Sequence, residues 1–192
     1  MQSSFAPVLA AAIVVSLLTG VTVSPHASAA EKAVAPERNP PGDIPDTQVF
    51  VTYTSPLGFA IKVPEGWSRK ESAQSVSFAD KYNTIEVALA SAAAAPTADS
   101  VKSADVRDLE KTGLAVKLTK VKDVKLKSGA AVLVSYTANS APNAVTNKPI
   151  RLEHDRYLMY KDGKLAILDM AAPQGADNID DWSMMANSFH WK

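Results

Sequence analysis

The chain contains no cysteine, which excludes disulfide staples, thiolate metal sites and a lipid anchor built on a processed cysteine. It has no excess of either charge sign: 20 Lys+Arg balance 20 Asp+Glu, for a formal net charge of zero. Nucleic-acid binders carry a clear basic surplus, so no nucleic-acid partner is expected. Histidine is scarce, and beyond residue 30 only His154 and His190 remain. The glycine-rich phosphate and dinucleotide loops are missing, as are the Gly-x-Ser-x-Gly elbow and the Asp-rich calcium loop with its distant glutamate. No catalytic, cofactor-binding or metal-binding residue is assigned, and the chain is read as a non-enzyme.

What is present begins with an apolar stretch over residues 5–23, free of charge and broken at Gly20 and Pro25. Ala27-Ser28-Ala29 follows as a small-residue peptidase site, so residues 1–29 read as a secretory signal cleaved after Ala29. The segment before the apolar stretch, Met1 to Ser4, lacks Lys and Arg. The alternative is a retained single-span anchor, because nearly twenty apolar residues approach the bilayer thickness. Both readings place the rest of the chain outside the cytoplasm, secreted or in the cell envelope, and cleavage leaves no stable membrane span. Residues 30–47 carry four prolines and mixed charges without apolar periodicity, and read as a flexible tether.

Residues 48–192 then form one domain of common size. Alternating or β-branched runs predict strands over 49–53, 59–63, 75–78, 84–90, 116–124, 130–138, 150–160 and 165–171. Turn residues separate them: Pro56 and Gly58, Asp80 to Asn83, Lys127 to Gly129, and Asp162-Gly163, a strong hairpin signal. A helix is predicted from Thr97 or Asp99 to about Thr112, with Val101, Val106 and Leu109 as its apolar stripe and Gly113 as its stop. A second helix covers 177–188, capped by Asp177, with Asp180 and Asp181 in its first turn and Ile179, Trp182, Met185 and Ala186 on one side. Phe189 and Trp191 follow as apolar pins. The fold class is α+β: an antiparallel sheet of about six to eight strands flanked by helices.

Three stretches carry a family likeness: YTSPLGFAIKVPEGW at 53–67, RYLMYKDGKLAI at 156–167 and NSFHW at 187–191. Together they resemble the PsbP-like superfamily, and within it the actinobacterial LpqN-type envelope lipoproteins, over the whole span from Gln48 to Lys192. The resemblance implies a PsbP-like α/β/α sandwich and a non-enzymatic binding or assembly role, since the relatives include an extrinsic photosystem subunit and a Ran-binding factor. The lipobox cysteine of LpqN-type proteins has no counterpart here. The expected function is that of an exported, monomeric, non-catalytic module that binds a protein or an anionic envelope component. The alternative is a small-molecule or lipid carrier with a sheet–helix cleft, and an unrecognised hydrolase stands third.

Few residues offer chemistry. Glu153-His154-Asp155 reads as an acid–base or cation cluster only if strand alternation is ignored, because it sends His154 to one face and the carboxylates to the other. His190, between Phe189 and Trp191, reads as part of a packed tail. Asp177, Asn178, Asp180 and Asp181 are explained by helix capping. Lys117, Lys120, Lys122, Lys125 and Lys127 are the candidate interaction strip, a basic row on two strands or their edge; the competing reading is edge protection against aggregation. The polar loop 138–149 is a further binding candidate to which no residue role is given.

Overall fold

The computed structural model describes residues 31–112 and 114–192. The signal segment with its cleavage after Ala29, and the helix stop at Gly113, lie outside the described residues.

The domain opens with β1 (Phe50–Ser55) and β2 (Phe59–Pro64), joined by a turn in which Gly58 adopts φ 94°. That left-handed conformation is cheap only for glycine. Next come β3 (Ser68–Glu71), β4 (Ser75–Asp80) and β5 (Asn83–Ser91). The chain continues through α1 (Ala98–Ser103) and α2 (Asp105–Glu110), then β6 (Lys117–Leu126), β7 (Gly129–Asn139), β8 (Arg151–Lys161) and β9 (Lys164–Pro173). It closes with α3 (Ile179–Ser188) and the short β10 (His190–Trp191). Seven strands form an antiparallel sheet in the order β3-β4-β5-β9-β8-β7-β6, and β1-β2-β10 form a second sheet.

The seven-stranded sheet is the middle layer. One face packs against the small sheet and α3 through a large core that includes Phe59, Ile61, Leu168, Met170, Met185 and Phe189. The other face packs against α1 and α2 through a smaller core of Val101, Val106 and Leu109 on Val132, Val134 and Leu158. Strand alternation partitions β7 between them: Ala131 and Leu133 enter the first core, Val132 and Val134 the second. A strand buried on both faces reads as a continuous apolar run, as in Ala130-Ala131-Val132-Leu133-Val134.

The seven-stranded antiparallel sheet falls within the expected six to eight strands. Two described strands were not predicted: Ser68–Glu71, an exposed edge strand with no apolar alternation, and the two-residue His190–Trp191. Other expectations are corrected. The single helix over 97–112 is two, interrupted at Ala104 (φ −119°, ψ −73°). Val101 and Val106 are five residues apart, which an unbroken helix would place about 140° apart around its axis; the break lets both be buried. Thr97 does cap α1, in a reciprocal capping box with Ser100. At α3 the cap position is Asn178 rather than Asp177, and Ile179 is 69% exposed while Trp182, Met185 and Ala186 are buried.

The tether reading also changes. Ile44 is buried in the main core, and buried asparagine side chains hold the preceding backbone. Asn178 accepts from the Ile44 N–H (2.7 Å) and donates to the Gly42 carbonyl (2.8 Å), to which Asn83 also donates (2.9 Å). Asn139 accepts from the Val34 N–H and donates to the Lys32 carbonyl. At Gly42 an added Cβ would come within 2.7 Å of the Pro173 ring. Residues 32–44 are therefore a strap on the domain. Composition hides this, because the asparagines that fix the strap are far away in sequence.

Candidate functional site

Strand β8 carries different chemistry on its two faces. Its register with β9 is set by the two-residue turn Asp162-Gly163, both with positive φ (48° and 80°). That register places Arg156 opposite Asp169 and His154 opposite Ala171, so that His154 reaches Asp169 diagonally.

On the α1/α2 face, Asp169 gathers three donors. His154 Nδ1 lies 2.8 Å from Oδ1, while Arg156 Nε at 2.6 Å and the Tyr136 hydroxyl at 2.8 Å both donate to Oδ2. The Tyr136 and His154 rings stack at 4.4 Å. Burial alone would push the Asp169 carboxyl up; the His154 hydrogen bond, the His154 and Arg156 charges and the Arg156 hydrogen bond outweigh it and hold the carboxyl below the ordinary carboxylate range. The same carboxylate, with burial leading, pushes the Tyr136 hydroxyl well above its usual value. His154 therefore has a carboxylate partner that its sequence neighbours do not supply. The hairpin register was the available signal: counting back from Asp162-Gly163 pairs 156 with 169.

On the α3 face, Glu153 and Asp155 project together, as alternation requires. Glu153 accepts a hydrogen bond from the Gly175 N–H (3.2 Å) and Asp155 from Ser135 (2.6 Å), and among the described residues neither forms an ion pair. Burial pushes both carboxyls up, and each is pushed further by a neighbouring carboxylate. Tyr157, beside them, is pushed up to about 12 by burial and by Asp155. These groups line an open groove of about 440 Å³ between β6–β8 and α3, whose walls include Lys120, Lys122, Trp182 and the exposed Ile179.

The lysine strip lies on one strand and its turn rather than on two strands. β6 is the last strand of the large sheet, so among the described residues its outer edge carries no ladder partner. Pairing places Lys117, Lys120 and Lys122 opposite Thr137, Ser135 and Leu133, on the α3 face. Lys125 pairs with Ala130 and faces the α1/α2 side, and Lys127 sits in the β6–β7 turn beside a second groove, also lined by Lys62 and His190. The five lysines therefore split into a row of three beside the groove and two that diverge from it.

The remaining candidates separate. His190 is exposed on β10, while Phe189 is buried and Trp191 half-buried, so the segment is a packed tail. Asp181 is pushed up, by burial first and then by the charges of Asp46, Asp180 and Asp177. Among the described residues no three His, Asp or Glu side chains converge as a metal site, and no helix is long and apolar enough to cross a membrane. In the loop 140–149, Asn143 accepts from the Val145 and Thr146 N–H groups, leaving Val145 exposed at the tip.

No family model matches the chain, and no curated protein matches its sequence. Solved structures do. The chain is similar to the cyanobacterial PsbP (CyanoP) of Synechocystis sp. PCC 6803, with a TM-score of 0.57 at 14% identity, over 79% of this chain and 98% of that one. The fold is PsbP-like. A second neighbour is the Ran-binding protein Mog1p of Saccharomyces cerevisiae, with a TM-score of 0.50 at 9% identity, over 76% of this chain and 96% of that one. At such identities the likeness establishes the PsbP-like architecture and assigns no site residue. The groove and the basic edge are features of this chain's own side chains.

Proposed function

We propose that the chain is an exported, non-catalytic binding module of the cell envelope or extracellular space, allied to LpqN-type proteins. It engages a protein or anionic envelope component through the β6 edge and the groove beside α3. The observation that carries this reading is the row Lys117, Lys120 and Lys122 on an unpartnered sheet edge, next to an open groove with exposed Ile179. An open, mixed-charge groove beside a free strand suits a macromolecular surface. A cargo of lipid size needs most of its surface enclosed. The PsbP-like fold supports the reading by analogy, because one neighbour is described as Ran-binding. Export rests on the 5–23 apolar stretch and Ala27-Ser28-Ala29.

The test is affinity capture of the tagged protein from native envelope, with native mass spectrometry of the eluate. The triple variant K117Q/K120Q/K122Q is expected to lose its partner at low salt, while K125Q/K127Q keeps it. Equal retention by both variants would refute the β6 surface. N-terminal sequencing of the mature protein is expected to begin at Ala30; a start at Met1 would refute cleavage.

A further inference from the structure

The opposite face of the sheet holds a separate cleft, independent of the β6 surface. It has a volume of about 260 Å³ and lies between the end of α2, the segment leading to β6, and strands β7 and β8. One part is apolar, formed by Leu109, Leu114, Val116, Ala138 and Leu152; the other is polar, with Tyr136, His154 and Arg156. Asp169 stands behind those three and fixes them, but it does not use all their donors. His154 is held through Nδ1, and among the described residues its Nε2 makes no hydrogen bond. Arg156 is held through Nε; Nη1 has no partner among the described residues, and Nη2 reaches only the Tyr136 hydroxyl at 3.4 Å.

A guanidinium carries five N–H donors in a planar fork, and its outer edge matches the two oxygens of a carboxylate. Here the fork is oriented in advance, and the Arg156 side chain is only 23% exposed, so its spare donors are partly removed from water. Unmet donors of this kind favour an acceptor that fits them. The apolar walls next to them favour a hydrocarbon body. We propose that this cleft binds a small amphiphilic monocarboxylate, its carboxylate on the outer edge of Arg156 beside the His154 ring, its alkyl or aryl body among Leu109, Leu114 and Leu152. Asp105, at the start of α2, lies within electrostatic range of Arg156 without forming an ion pair. Its charge disfavours a dianion and selects a singly charged head group. Asp169 acts as a positioning residue, since it touches His154 and Arg156 but leaves their cleft-facing atoms free.

The experiment is calorimetric titration of the purified protein with octanoate, octan-1-ol and octylamine, alongside NMR of the His154 ring. Octanoate is expected to bind saturably, to shift the His154 signal, and to bind at least tenfold more tightly than the other two. Arg156→Gln is expected to weaken octanoate by more than about tenfold, the loss of a charge-assisted contact. Because that change also disturbs Asp169, Leu114→Trp serves as the second variant: it fills the cleft without touching the network and is expected to abolish binding. Equal affinity for all three compounds, full binding by Leu114→Trp, or no saturation by about 10 mM would each overturn the proposal.

Discussion

The two faces of β8 are built from the same kinds of residue and behave in opposite ways. On the α1/α2 side the carboxylate of Asp169 is surrounded by donors and held below its ordinary range. On the α3 side, Glu153 and Asp155 sit in a groove without an ion pair and are pushed up. The first arrangement is internally satisfied and orients side chains. The second leaves charge in a partly desolvated groove beside unpaired lysines, which costs stability that a bound partner can restore. Polar residues on a sheet face thus divide into those that complete the fold and those the fold leaves incomplete.

The largest expected effect is on the satisfied side. Asp169→Ala strands the Arg156, His154 and Tyr136 donors and is expected to cost about 3–5 kcal/mol in urea unfolding at neutral pH. The pH dependence of Asp169→Asn follows from the direction of the shift. A carboxyl held down in the folded state contributes stability above the unfolded value, about 3.9, and loses it as pH falls through the lower folded value. The gap between wild type and Asp169→Asn is therefore expected to narrow as pH falls below about 4. A pH-independent gap would mean that the network does not depend on the charge of Asp169.

Gly42→Ala comes next, at about 1–3 kcal/mol, because its Cβ meets the Pro173 ring at 2.7 Å. It is expected to lower the melting temperature and to speed proteolysis at Arg38, whereas a free tether would leave both unchanged. On the unsatisfied side the sign reverses. The folded environment of Glu153 favours its protonated form, so Glu153→Gln is expected to raise stability, by less than about 1 kcal/mol. A loss of that size would show that the Gly175 hydrogen bond outweighs burial. Lys120→Gln with Lys122→Gln is expected to change stability by less than about 0.5 kcal/mol, so any loss of partner retention reports the surface rather than folding.

Much of the fold was legible because its signals are local. Asp162-Gly163 fixed one hairpin, Ile85, Val87 and Leu89 marked a strand by period, and Thr97 capped a helix. Half of the Asp169 cluster was legible in principle, since the same turn pairs Arg156 with Asp169. Tyr136 was not, because the β7–β8 register runs through the loop 140–149, which carries no fixed turn geometry to count from. The strap escaped notice because Asn83, Asn139 and Asn178 read as turn, loop and cap residues until tertiary packing turns them onto the 32–44 backbone. Plain alternation separates Lys125 from Lys120 and Lys122, whereas Lys117 joins their face only through the irregular register between Leu118 and Lys120.

The most direct test of the central claim is a hydrogen-exchange footprint of the captured complex. Protection is expected along β6 and the first turn of α3, around Lys120, Lys122 and Ile179, with little change at α1 and α2. Protection confined to α1 and α2, with β6 exchanging as in the free protein, would contradict it.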